Sequence, residues 1–229
     1  DLGYQREPCS TEVLAAAEAA LRDSLKVSIP RRRASSLPWG SFDPNVPVKQ
    51  VVVVDIETTG VEAKVDRIVE IAFVAQDGSG WRCFVDPGRP IPKEVRDVHG
   101  ISDADVAGAP TFAQVWDEVK RRGLLDGRYP VAYNATFDQS FIAAELVRAN
   151  RADEARAVMD LEWIDPHLVV KEIDEGSSRL ADACMRRGIT PPSHRALDDA
   201  RACLALLTEL ERKSPRFTVR PLGIVIQEQ

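Results

Sequence analysis

Val51-Val52-Val53-Val54-Asp55-Ile56-Glu57-Thr58-Thr59-Gly60 decides the fold class of this chain. Four consecutive β-branched residues read as a strand covered on both faces, because a half-exposed strand would alternate apolar with polar. Two carboxylates, Asp55 and Glu57, follow at its C-terminal end. Side chains two apart on a strand share a face, so these acids converge. Converging acids at the end of an apolar strand are costly unless something cationic neutralises them, and a hard divalent cation with oxygen ligands does this well. Taken alone, the pair reads equally as two solvated acids at the start of a loop.

Working outward, Ile68 to Val74 and Trp81 to Val85 read as the next two strands, joined as a hairpin by Asp77-Gly78-Ser79-Gly80. Val131 to Tyr133 reads as a further short strand. Helices are expected from Thr111, where Thr111-x-x-Gln114 makes a capping box, over Thr136 to Ala149, and over Leu168 to Ile173. Leu180 to Arg187, closed by Gly188, and Arg195 to Arg212 complete the set. Strands mixed with helices define an α/β domain over residues 48–214. Residues 1–47 read as an extension. Thr11 to Leu25 has Leu14, Ala17, Leu21 and Leu25 at helical spacing, and a basic, turn-rich stretch, Pro30 to Pro38, follows it. Its Arg31-Arg32-Arg33 reads as a solvated loop in preference to a phosphate contact. Residues 215–229 form a tail in which Phe217 to Ile226 reads as an added strand.

Composition excludes several classes of protein. The chain has 229 residues, 44% hydrophobic and 29% charged, which suits a globular protein with a real core and not a disordered one. Lys plus Arg total 30 against 36 for Asp plus Glu, a net charge of −6, which argues against coating nucleic acid with positive charge. It leaves room for an enzyme whose carboxylates hold metal ions. The run Val51 to Ile56 contains Asp55 and is far too short to cross a bilayer, so no membrane association is expected. Cys9, Cys83, Cys184 and Cys203 lie far apart without a CxxC pair, which fits free thiols in a reducing, cytoplasmic setting. No signal-peptide pattern is visible, and a trimmed leader stays open.

Two further clusters join the first. Tyr133-Asn134-Ala135-Thr136-Phe137-Asp138 runs from strand into helix and delivers Asp138 on a first helical turn, where an acid is also favoured by the helix dipole alone. His194-Arg195-Ala196-Leu197-Asp198-Asp199 opens the last long helix. With 3 histidines in the chain, one placed five residues ahead of an acid stands out.

The blocks Asp55-Ile56-Glu57-Thr58-Thr59-Gly60, Asn134-Ala135-Thr136-Phe137-Asp138 and His194-x-x-x-x-Asp199 resemble, in order and spacing, the three motifs of the DEDDh family of 3′–5′ exonucleases. Arg67-Ile68-Val69-Glu70-Ile71-Ala72, Pro90-Ile91-Pro92 and Val98-His99-Gly100-Ile101 extend the likeness across Val51 to Leu210. Within that family the chain is most similar to the proofreading (epsilon) subunits of bacterial replicative DNA polymerases. The stretch Thr58 to Lys64 is also similar to ribonuclease T.

The resemblance implies a ribonuclease H-like α/β fold, with a central mixed β-sheet flanked by α-helices. It implies that Asp55, Glu57, Asp138 and Asp199 organise two divalent cations, Mg²⁺ or Mn²⁺, and that His194 is the general base. Histidine suits that task because its ordinary pKa lies near neutrality. Asp198 is out of register and stays outside the metal set. Thr58, Thr59 and Asn134 would contact substrate, His99 would line or support the site, and Phe137 would pack beneath it. Tyr133 departs from the family, which often has His there. The implied substrate is a single-stranded 3′ end, DNA favoured and RNA open, cut to nucleoside 5′-monophosphates. Loss of a metal carboxylate or of His194 would mark a non-catalytic scaffold instead, and all five are present. There is no convincing clamp-binding motif or polymerase domain, so association with a polymerase, stand-alone action and dimerisation through the extension all stay open.

Overall fold

β1 (Val51–Thr58) lies inside a four-stranded sheet, between β2 (Ile68–Ala75) and β4 (Tyr129–Val131), with β3 (Gly80–Phe84) at one edge in the order β3-β2-β1-β4. β1 pairs antiparallel with β2 and parallel with β4, and β2 pairs antiparallel with β3, so the sheet is mixed as expected. The computed structural model describes residues 51–213. The expected helix at Thr11 to Leu25 and the strand at Phe217 to Ile226 lie outside the described residues.

The helices are α1 (Lys93–His99), α2 (Phe112–Arg121), α3 (Ala135–Arg148), α4 (Ala152–Asp160), α5 (Pro166–Ile173), α6 (Leu180–Met185) and α7 (Ala196–Lys213). They cover the sheet on both faces, which is why β1 reads as a continuous apolar run. Val52, Val54 and Ile56 pack with Phe112 and Trp116 of α2 and with Phe141, Ile142 and Leu146 of α3. Val51 and Val53 face the other way, onto Ala200, Cys203 and Leu207 of α7. Each such buried aliphatic side chain contributes roughly 1.5–3 kcal/mol relative to an exposed one. Strand parity then sends Asp55 and Glu57 to the α7 face, beyond the point where valines fill it.

The strand bends where it enters that region. Glu57 pairs with Glu70 but Thr58 pairs with Ile68, so the register slips between Glu57 and Thr58. Such irregularities re-aim side chains next to functional sites. Gly60 follows because a larger residue would displace a side chain that the loop uses: a Cβ there would lie 2.3 Å from Asp66 Oδ2. That carboxylate accepts the Thr59 hydroxyl at 3.3 Å and the Glu62 N–H at 3.0 Å, which closes the loop.

Three features differ from the sequence expectation. The fourth strand ends at Val131, not Tyr133, because Asn134 takes a left-handed φ of 67° and turns the chain off the sheet. Ile164 bridges Val131 at that end, its N–H donating to the Pro130 carbonyl at 2.9 Å. α1 and α4 were not anticipated. α1 buries only His99, and α4 buries only Ala155, Ala157 and Val158, so neither shows a wide apolar stripe in sequence. The Thr111–Gln114 capping box forms in full at the start of α2.

Candidate active site

Three elements bring their acids to one place. β1 supplies Asp55 and Glu57, the first turn of α3 supplies Asp138, and the first turn of α7 supplies Asp199. One carboxylate oxygen from each of Asp55, Glu57 and Asp199 lies within 4.8 Å of the others. Asp138 is buried beside them, and its charge is the strongest electrostatic influence on Asp55.

The cost of this crowding appears in the acidities. Burial first, then the charges of Asp138, Asp199, Glu57 and Glu70, hold the Asp55 carboxyl well above the usual carboxylate range. Glu57 is pushed up to about 8, by burial and by Asp199 and Glu70, against a smaller opposing pull from Arg195. Burial also raises Asp138, although its own backbone amide and that of Ile56 favour its charged form. Asp199 is raised by burial while the Ser193, Arg195 and His194 amides pull the other way. Three acids with oxygens within 4.8 Å of one another and a fourth buried beside them, all resisting ionisation, suit a hard divalent cation, whose charge replaces the missing counter-ion. Their number and chemistry therefore fit a metal centre.

His194 lies at the rim, exposed, on a left-handed turn with φ 57° two residues ahead of α7. The N–H groups of Ser193 and His194 donate to Asp199 Oδ1 at 3.0 and 3.1 Å, so the backbone carrying the imidazole is tied to a site carboxylate. Asp198 is exposed and accepts the Ser193 hydroxyl at 2.8 Å.

The remaining candidates fall into two groups. Asn134 is exposed at the N-cap of α3, while Thr58 at the end of β1 is buried with its hydroxyl donating to the Gly60 carbonyl. Phe137 is half-buried against Phe141, ring centroids 4.7 Å apart, on the same turn as Asp138. Thr59 and His99 are buried and occupied within the protein. The Thr59 hydroxyl accepts the Arg67 N–H at 3.0 Å while it donates to Asp66. His99 accepts the Ile101 N–H on Nδ1 at 3.0 Å, and its buried Nε2 faces the Thr58 backbone without a well-formed hydrogen bond. Burial holds its pKa below the ordinary value.

Two acids that matter to this geometry were not singled out from sequence. Glu70, fully buried in β2, binds Arg82, Arg195 and the Ala196 N–H. Asp165 accepts the N–H groups of Asn134, Ala135 and His167. Signals existed for both: a charge in the middle of an apolar strand, and an Asp-Pro pair opening a helix.

Comparison with known proteins agrees with the geometry. The exonuclease (RNase T) family model matches residues 52–207. The chain belongs to the exonuclease family. The subunit epsilon of DNA polymerase III from Treponema pallidum is 32% identical to this exonuclease over 161 residues, 68% of this chain and 74% of the relative. The PolC-type DNA polymerase III of Thermotoga petrophila is 30% identical over 171 residues, 70% of this chain but only 12% of that much longer protein. Among solved structures, E. coli exonuclease I in complex with a dT13 oligonucleotide superposes with a TM-score of 0.64 at 18% identity, covering 74% of this chain and 42% of that one. The nuclease domain of 3′hExo, a DEDDh family member bound to rAMP, gives 0.59 at 15% identity, with 72% and 92% covered. These two likenesses establish the ribonuclease H-like fold. The protein is thus a 3′–5′ exonuclease, a hydrolase of a family that uses divalent metal ions. Among the described residues, no helix is long and apolar enough to cross a membrane.

Proposed function

We propose that this exonuclease removes nucleoside 5′-monophosphates one at a time from the 3′ end of single-stranded DNA. The observation that carries the reading is the convergence of Asp55, Glu57 and Asp199, with Asp138 beside them, from three separate elements. Asp55, Glu57, Asp138 and Asp199 would hold two divalent cations, Mg²⁺ or Mn²⁺. Once bound, such ions supply Lewis-acid stabilisation of charge on the phosphate and a more acidic water.

The rest of the chemistry belongs to side chains of the chain itself. His194 takes the proton of the attacking water at an imidazole nitrogen. Its exposure leaves the ring free to swing, while the Asp199 contact fixes its backbone. Exposed Asn134 and the backbone at Thr58 would meet the terminal nucleotide, and Phe137 supports the turn that carries Asp138. Thr59 and His99 act through the shape they give the loop after β1. Relatives that are DNA polymerase III subunits favour DNA over RNA. An RNA 3′ end is the second reading, favoured by the rAMP-bound neighbour. A polymerase is the partner that the epsilon relative suggests.

Digestion of 5′-labelled single-stranded DNA and RNA with Mg²⁺ or Mn²⁺ tests this. A ladder shortening from the 3′ end, abolished by EDTA and by Asp199→Ala, is expected. A 5′–3′ ladder overturns the polarity, and faster cleavage of RNA overturns the substrate. His194→Ala should lose about 10²–10⁴-fold in rate, as general bases do, with Mn²⁺ binding little changed. An equal loss of Mn²⁺ affinity would make His194 a ligand instead.

A further inference from the structure

Asp138 and Asp199 reach the site in the same way. Each sits on the first turn of a helix, and each helix is preceded by a residue in the left-handed region, Asn134 at φ 67° and His194 at φ 57°. Side chains larger than glycine adopt that conformation only when their surroundings hold them there. Ahead of α3 the holding group is a buried acid from a different element; ahead of α7 Asp199 itself ties the His194 N–H, and a buried acid from β2 grips the next two residues, Arg195 and Ala196. Neither the acid ahead of α3 nor the one from β2 belongs to the metal set.

Ahead of α3 the group is Asp165. Its Oδ1 accepts the Asn134 and His167 N–H groups, both at 2.9 Å, and its Oδ2 accepts the Ala135 N–H at 3.1 Å. One carboxylate thus caps two helices, α5 and α3, and pins the turn that presents Asp138. The acid from β2 is Glu70. Its Oε2 accepts the Ala196 N–H at 3.1 Å and Arg195 Nε at 3.3 Å, while its Oε1 takes Arg195 Nη2 at 2.9 Å and Arg82 Nη1 at 2.6 Å. Glu70 lies opposite Glu57 in the β1–β2 register, so the bond to Ala196 fixes α7 relative to the strand that carries the first two acids. Charged hydrogen bonds to backbone N–H groups are short and strong, and at a helix N-terminus they also meet the positive end of the dipole.

We infer that Glu70 and Asp165 are positioning residues of the active site, setting the first turns of α7 and α3 so that Asp199, His194 and Asp138 meet Asp55 and Glu57. This deepens the proposed function and rests on it. Loss of either clamp releases a helix terminus, and the carboxylate on it moves relative to β1 while the core underneath stays packed. Outer partners of metal sites typically contribute about 10–100-fold in activity or metal affinity.

The test uses the full chain carrying Glu70→Gln or Asp165→Asn, substitutions that keep shape and remove charge. Circular dichroism and thermal melting establish folding. Rates on single-stranded DNA are taken well below the melting temperature, and Mn²⁺ affinity is taken by calorimetry without substrate. The expected result is a folded protein whose kcat falls about 10–100-fold with little change in KM and with weaker Mn²⁺ binding. A folded variant with wild-type kcat and wild-type Mn²⁺ affinity overturns the inference, as does a loss confined to KM. If Glu70→Gln does not fold, Arg195→Lys keeps a charge beside Glu70 and removes the two-pronged contact. If Asp165→Asn does not fold, Asp165→Ser keeps an acceptor near His167 and is too short to hold Asn134 and Ala135. Each substitute is expected to lower kcat in the same way, and an unchanged kcat counts against the clamp. Should the unaltered protein degrade no 3′ end, the proposed function fails, and the Mn²⁺ affinities alone still decide the positioning role.

Discussion

Glu145 and Asp55 are acids set into the same sheet-and-helix sandwich, and they differ in what answers their charge. Glu145 on α3 is almost fully buried and gripped by Arg67, Nε to Oε1 at 2.7 Å and Nη2 to Oε2 at 2.9 Å, with the Ile68 N–H donating at 3.2 Å. Its charge is met wholly from within the chain. Asp55 and its neighbours Glu57, Asp138 and Asp199 form no ion pair with Lys or Arg among the described residues, and all four resist ionisation. A buried acid with a built-in guanidinium is a finished structural joint. A cluster of acids without one is poised to take its positive charge from solution. Glu70 stands between the two kinds, paired like Glu145 yet facing Glu57 across the strands.

The largest effect that separates the two kinds is expected at Asp55. Asp55→Asn should lower exonuclease rate by about 10³-fold or more, since a preorganised charge at the reacting centre is lost. The same substitution should raise the melting temperature in EDTA, because a neutral amide escapes the burial cost and the repulsion of its neighbours. Activity near wild type, or a lower melting temperature, would place Asp55 among the structural acids and break the contrast.

Glu145→Gln probes the other side. Removing one partner of a buried ion pair leaves Arg67 uncompensated and costs about 3–5 kcal/mol, measurable as a shift in the urea midpoint. The rate per folded molecule should stay within about twofold, as expected where no transition-state contact is lost. A large fall in kcat at full folding would show that the Arg67–Glu145 joint reaches into the chemistry.

This contrast also sets what was legible in the sequence. That Asp55, Glu57 and Asp199 come together, with Asp138 beside them, could be read because they sit in short local motifs, two on one strand and two at helix starts. The four-valine run announced a strand buried on both faces, and the capping box announced α2. Glu70, Glu145 and Asp165 were opaque as long-range partners, since the contacts to Arg195, Arg67 and Ala135 cross 125, 78 and 30 residues of chain, which no local spacing reveals. α4 was opaque for another reason. It is held by small buried side chains and by the Trp116 indole N–H donating to Glu154 at 2.8 Å, neither of which makes a periodic stripe. Thr59 shows the limit from the opposite direction. Its motif suggests substrate contact, while the fold spends its hydroxyl on Arg67 and Asp66.

The smallest expected effect is a drift of stability with pH, to which the unpaired acids contribute with one sign and the imidazoles of His99 and His167, held below their ordinary pKa by burial, with the other. In EDTA, Glu57 keeps its proton in the folded state up to about 8, while in the unfolded chain it releases it near the ordinary 4.5. Between those values this group binds more protons in the folded state than in the unfolded one, so its contribution to stability falls as pH rises. Asp55, Asp138 and Asp199, all raised, act with the same sign. Above about pH 6.5 His99 and His167 are largely neutral in both states, so metal-free protein should melt progressively lower from there to about pH 8, by a few degrees for each kcal/mol lost. Saturating Mn²⁺ should flatten the curve, since bound cations favour the ionised carboxylates and stabilise the folded state that binds them. Asp55→Asn should flatten it in part without metal, while Glu145→Gln should lower the whole curve and leave its slope. A metal-free curve that rises between about pH 6.5 and about pH 8 would mean that the four acids are neutralised from within the chain after all, and would place them with Glu145.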